Sequence, residues 1–311
     1  MSSAHSIETI VLHEVGLRDG LQIEKLAVPF ERKVRWAESL LLSGIDILQM
    51  GSFVHPEKVP QMADTDRLFS HFGVPGHKPA GVVLSGLVLN EKGLERGFTC
   101  GVDMFCMGVS ASDTHSRKNT GMSSEEALGR IIPMAQEALR RGKKVQVSVQ
   151  SAFGCGFEGS IPLERVLSIV KTYLDGGLTN ISLADTAGHA HPAQVKAMVG
   201  AIYKLGPGID CACHFHNTYG LGIANCLTAL ESGVRIFETS CAGLGGCPFT
   251  KVAAGNVCTE DFVHTMQRIG KRTDIDVKKL IAVAKDLSTF FGREMPGLLY
   301  KTGPLGEGLH S

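Results

Sequence analysis

The chain has no surplus of either charge: 31 Lys and Arg balance 31 Asp and Glu over 311 residues. No global field therefore draws it to nucleic acid or to an anionic membrane, and any anionic ligand must be held by local positive groups. No uncharged apolar run approaches the ~20 residues that a membrane span requires. The start, Met1 to Ser6, is short and polar, so neither a secretory signal nor an Arg-rich amphipathic leader is expected there. Tryptophan is nearly missing, and the single example, Trp36, is expected to pack a helix. The nine cysteines are odd in number and scattered through apolar segments. That pattern excludes a disulfide scaffold and predicts reduced thiols in a cytoplasmic protein. Low-complexity runs and long linkers are absent as well.

What is present is a large apolar fraction, 43%, with 20% charged residues, the composition of a globular protein with a sizeable core. Apolar runs alternate with helical patterns along the whole length. Strands are expected at 9–15, 45–53, 80–84, 102–109, 145–149, 180–184, 209–215 and 234–241. Helices are expected near 29–42, 56–72, 123–141, 162–176, 192–204 and 220–232, the third opened by Ser123-Ser124-Glu125-Glu126 with its acidic first turn. Alternation of this kind implies a parallel sheet covered by helices, and eight units imply a closed (β/α)8 barrel, the TIM-barrel architecture. Residues 1–270 would form that barrel as a single domain. A C-terminal extension, 271–311, adds a helix over 276–291 that could cover the mouth or join a partner subunit, so a homo-oligomer is expected.

Within strand seven, Cys213-His214-Phe215-His216-Asn217 is the most informative stretch. Side chains i and i+2 share a face of a strand, so His214 and His216 project together as a natural pair of metal ligands. Cys211 and Cys213 have the opposite parity and are expected to pack against the helix layer. Barrel chemistry sits at the C-terminal strand ends, and polar groups gather there: Arg18 and Asp19, Gln49, Gln150, Ser182 and Asp185, then Asn256. Two imidazoles, a carboxylate and one further oxygen without a thiolate suit Mg or Mn, and the ligand types also admit Zn or Co.

The chain resembles the 3-hydroxy-3-methylglutaryl-CoA lyase branch of the DRE-TIM metallolyases. The motifs that carry the likeness are EVGLRDGLQIEK (14–25), SFVHPEKVPQM (52–62), SASDTHSRKN (110–119), FGCGFEG (153–159), ISLADTAG (181–188), HFHNTYG (214–220) and AGLGGCPF with AAGN (242–256). The resemblance implies retro-Claisen cleavage of a 3-hydroxy-carboxyacyl-CoA to acetyl-CoA and a keto acid. It implies Asp19, His214, His216 and Asn256 as ligands of a divalent metal, and Arg18 as the cation facing the enolate oxygen. Cys247 would lie on a glycine-rich loop and supply the acid, and His214 is a candidate for proton transfer as well as ligation. Gln22, Gln49, Gln146, Ser148, Ser182 and Asp185 are the expected substrate contacts, with Lys118 and Asn119 expected to hold CoA phosphates. Glu14 is expected to brace Arg18. The chain departs from the family where the lyases carry an acidic residue at strand two, an Arg and a Tyr on strand five, and an Asn after Gln22; here these are Gln49, Gln146, Ser148 and Ile23. A changed acyl group is therefore expected, with citramalyl-CoA or another 3-hydroxyacyl-CoA as the alternative substrate. A superfamily aldolase, or a non-catalytic metal- or CoA-binding homologue, is the more distant reading.

Overall fold

The computed structural model describes residues 9–246 and 255–305. Eight parallel strands, β1 (Val11–Glu14), β2 (Ile47–Ser52), β3 (Val83–Leu87), β4 (Met104–Ser110), β5 (Lys144–Gln150), β6 (Asn180–Asp185), β7 (Asp210–Phe215) and β8 (Ile236–Thr239), pair in chain order, and β8 returns to β1. The barrel is therefore closed, as the eightfold alternation requires. Around it run α1 (Phe30–Leu41), α2 (Thr65–Phe72), α3 (Glu91–Cys100), α4 (Asp113–Thr120), α5 (Ser124–Arg140), α6 (Leu163–Asp175), α7 (Pro192–Tyr203) and α8 (Gly222–Glu231). After β8 come α9 (Thr259–Arg268), α10 (Val277–Phe291) and the short α11 (Leu299–Thr302).

The strands are buried on both faces, which is why their sequences are apolar without clean alternation. Cys211 and Cys213 are buried in the core, as their parity predicts. The α5 start is a full capping box, in which Ser123 and Glu126 each bond the other's backbone N–H; such a cap is worth about 1 kcal/mol. Trp36 packs edge-on against Phe290 of α10, and its Nε1 donates to Asp286 at 2.5 Å. Arg32 reaches the same carboxylate at 2.9 Å. α10 is thereby fastened to α1 on the flank of the barrel.

Two expected boundaries shift, and α3, α4, α9 and α11 are helices that the expected set did not include. The second helix begins at Thr65 rather than near 56, because Pro60 interrupts the segment and opens only a short tight turn, Pro60–Met62. The third strand starts at Val83, since Gly81 has φ +85 and turns the chain. α3 offers only Leu94 and Phe98 as large apolar residues beside Gly93 and Gly97, a stripe one turn long, and α4, DTHSRKNT, has no aliphatic residue at all.

Candidate active site

The two histidines converge as their spacing predicts. His214 Nε2 and His216 Nε2 lie 3.0 Å apart, and Asp19 Oδ2 lies 3.8 Å from His214 Nε2. All three ligand atoms fall within 4.8 Å of one another, the one such group among the described residues. Asn256 joins them from the far side of β8. Its segment pairs with the end of β7 through Asn217 N–H to Gly255 O and Val257 N–H to Phe215 O, both at 3.0 Å. Asn256 Nδ2 donates to Asp19 Oδ2 at 2.8 Å and to Leu244 O at 2.9 Å, which leaves Oδ1 buried without a hydrogen-bond partner. A stranded acceptor costs roughly 1–3 kcal/mol unless something takes its lone pairs. Two imidazoles, one carboxylate and one free amide oxygen form a donor set that fits a hard or borderline divalent cation. The neighbouring loop must stay thin to allow this: a Cβ on Gly245 would meet Asn256 Nδ2 at 2.5 Å, and its φ of +101 suits only glycine.

Arg18 and Asp19 reach the site on a wide turn, Gly16–Gly20, in which the N–H groups of Arg18, Asp19 and Gly20 all point to Val15 O. Arg18 Nη1 bonds Asp19 Oδ1 at 2.6 Å, and Arg18 Nε donates to Gln49 Oε1. Burial pushes the Asp19 carboxyl up, but Arg18, His214, His216 and the Asn256 amide together outweigh it and hold it below the usual carboxylate range. Burial, then the charge of His214, lowers His216 to about 4, so its ring is neutral and ready to ligate. His214 stands apart. Burial lowers it, yet its bond to Glu238 and the charge of Asp19 carry it above its ordinary value.

A cavity of about 520 Å³ opens over this cluster. Arg18, Asp19, Gln22, Gln49, Gln146, Ser148, Ser182, His214, His216 and Asn119 all line it, so the structure gathers most of the residues singled out from sequence. Asp185 does not line it: Oδ1 accepts from Ala190 N–H at 3.1 Å and Oδ2 is buried without a partner. Lys118 lies outside as well, its ammonium 4.7 Å over the Phe157 ring. Cys247 falls outside the described residues. Glu14 does not brace Arg18. Its carboxylate accepts from Gly16 N–H at 2.7 Å, Cys241 N–H at 3.0 Å and the Thr259 hydroxyl, tying the end of β1 to the turn after β8.

Three lumen residues escaped the sequence reading. Glu238 Oε2 accepts from the His214 ring at 3.0 Å, His13 Nε2 meets Ser85 Oγ at 2.8 Å, and Cys106 lines the cavity. The signal for the first two was a titratable residue inside a short apolar strand, VRIFET and VLHEV.

This geometry has close relatives. An HMG-CoA lyase from Acinetobacter baumannii, solved with coenzyme A and 3-methylmalate, superposes with a TM-score of 0.91 at 37% identity, covering 100% of this chain and 99% of that one. The hydroxymethylglutaryl-CoA lyase of Bacillus subtilis is 34% identical over 92% of this chain and 95% of its own length. The (R)-citramalyl-CoA lyase of Chloroflexus aurantiacus is 36% identical over 96% of both. The HMGL-like family model matches residues 9–287, from the first strand into α10, and the chain belongs to that family.

Proposed function

We propose that this carbon–carbon lyase cleaves a 3-hydroxy-carboxyacyl-CoA thioester to acetyl-CoA and a keto acid, with Mg or Mn held by Asp19, His214, His216 and Asn256. The observation that carries the reading is the convergence of Asp19, His214 and His216 beside Arg18 in the lining of one cavity, with Asn256 hydrogen-bonded to Asp19 behind them. A bound divalent cation supplies Lewis acidity that lowers the pKa of the substrate hydroxyl and fixes its orientation. In the cleavage the hydroxyl gives up its proton and its oxygen becomes the carbonyl of the keto acid. The C2–C3 bond breaks, its electron pair becomes a thioester enolate, and protonation of C2 completes acetyl-CoA.

Arg18 is proposed to stabilise the oxyanion charge through its guanidinium. Gln49 and Asp19 hold its guanidinium from two sides, which keeps it aimed into the cavity. His214 has Nδ1 on Glu238 and Nε2 turned to His216, so ligation and proton transfer compete for Nε2, and ligation is the role the paired rings support. Cys247 is retained as the acid for the enolate carbon. Lys118 and Asn119 remain the proposed contacts for CoA, with Asn119 on the cavity wall. The eight described cysteines are free, which supports a cytoplasmic setting. A homo-oligomer is proposed through the C-terminal segment, where Leu298 and Leu305 are exposed.

The acyl group is proposed to differ from 3-hydroxy-3-methylglutaryl, because Gln49, Gln146 and Ser148 leave the wall uncharged. The test is acetyl-CoA release from a panel of 3-hydroxyacyl-CoA thioesters under saturating Mg or Mn. Release from at least one, with the methylglutaryl thioester a poor substrate, is expected. If the methylglutaryl compound were best and fast, the acyl reading would fall; if none were cleaved by metal-loaded protein, the lyase reading would fall with it.

A further inference from the structure

The cavity wall between β4 and β5 is the part that the metal centre leaves unused. A string of contacts leads to it. Asp19 Oδ1 accepts from Arg18 Nη1 at 2.6 Å, Arg18 Nε donates to Gln49 Oε1, and the Cys106 thiol, beside Gln49, donates to Gln146 Oε1 at 3.8 Å. The string ends in an unused donor. Gln146 is only 3% exposed and lines the cavity, yet its Nε2 has no hydrogen-bond partner.

Bulk is missing at the same place. In the β4–β5 register Cys106 faces Gln146 and Gly108 faces Ser148. A Cβ at Gly108 would fall 2.1 Å from Ser148 Oγ and 2.4 Å from its carbonyl oxygen, so the close strands exclude any side chain at 108. Ser148 adds only a hydroxymethyl group. Charge is missing too: Gln49, Gln146 and Ser148 are neutral, and burial pushes the Cys106 thiol up to about 12 and keeps it protonated. The cation at the head of the string, Arg18, is turned to Asp19 and the donor cluster, away from this wall. A carboxylate held against this wall would be desolvated with no countercharge among the wall's own residues. A neutral oxygen would instead satisfy the Gln146 amide.

We infer that the β4–β5 wall is a subsite for an uncharged substituent on the reacting carbon, longer than methyl and carrying an acceptor oxygen for Gln146 Nε2. The substrate carboxylate is left to Arg18 and to the cation that the donor cluster would hold. This rests on the lyase reading above and narrows its substrate class.

The experiment compares four 3-carboxy-3-hydroxyacyl-CoA thioesters whose third substituent is methyl, propyl, methoxymethyl or carboxymethyl. The wild-type enzyme should give its highest kcat/KM with methoxymethyl and fall at least tenfold with carboxymethyl. Gln146→Leu should bring methoxymethyl down about tenfold, to the level of the isosteric propyl compound. Gln146→Arg should reverse the order of methoxymethyl and carboxymethyl. Ser148→Tyr should reject every arm except methyl. Calorimetry with the corresponding 2-oxo acids should rank the arms in the same order without turnover. A wild-type preference for carboxymethyl, or a Gln146→Leu variant that still separates methoxymethyl from propyl, would overturn the subsite and leave the lyase reading standing. Metal-loaded protein that released acetyl-CoA from none of the four, nor from the broader panel above, would overturn both.

Discussion

Glu238 Oε2 lies 3.0 Å from Nδ1 of His214, and Nε2 of the same ring lies 3.0 Å from Nε2 of His216. One imidazole thus couples a buried carboxylate to the ligand cluster. Burial pushes the Glu238 carboxyl up, but the bond and charge of His214 outweigh it and bring it down to about 2, so Glu238 is an anion. An anion at Nδ1 fixes the proton there and leaves Nε2 as the more basic lone pair. Glu238→Gln should therefore weaken metal binding by about tenfold, the range seen when such outer partners are lost. Titration calorimetry with Mn reads this directly, and an unchanged Kd would mean that Glu238 only fills the lumen.

His216→Ala removes one of the proposed ligands outright. Because metal binding is shared among few donors, the dissociation constant should rise by at least an order of magnitude, and metal content after dialysis should fall with it. The His216 ring is buried, so the variant leaves a small hole, and circular dichroism should confirm that the fold persists. Metal content and activity equal to wild type would remove His216 from the site.

Arg18→Met separates charge from packing. If Arg18 acts on developing oxyanion charge, turnover should drop by roughly 100-fold or more, comparable to the loss of an oxyanion-stabilising donor. Metal content should stay near wild type, since Asp19 keeps its Asn256 partner at 2.8 Å. A Tm that collapsed, with residual activity tracking the folded fraction, would assign Arg18 a bracing role instead.

The barrel was legible because alternating strands and helices are written in apolar periodicity, and His214 and His216 were legible because strand parity is strict. Asn256 was not placed by any spacing rule; a main-chain pairing across 40 residues brings it to His216. Glu238 and His13 were hidden for a different reason. A buried titratable residue on a short strand declares its role only through its partners, His214 and Ser85, which come from distant strands. Glu14 misled through proximity: four residues from Arg18, it turns away to the backbone of Cys241.

Asp185 carries the last prediction. Its carboxyl is fully buried, and although backbone N–H groups lower it, burial prevails and raises it from 3.8 to about 7. In the unfolded chain the same group ionises near 3.8. Between those values the folded protein keeps a proton that the unfolded chain has released, so stability falls as pH rises through the window, at up to roughly 1.4 kcal/mol per pH unit. Below the window the group costs nothing, and above about 7 the loss is complete. Asp185→Asn keeps an acceptor for Ala190 N–H and has no proton to lose, so its contribution should be flat with pH. Glu14 and Glu260, also raised to about 7 by burial, leave part of the slope in place. The expected result is that Tm falls less steeply from pH 4.5 to 7.5 in the variant than in the wild type, with the variant at least as stable at the upper end. Parallel Tm profiles would show that Asp185 is ionised throughout, with its backbone donors outweighing its burial.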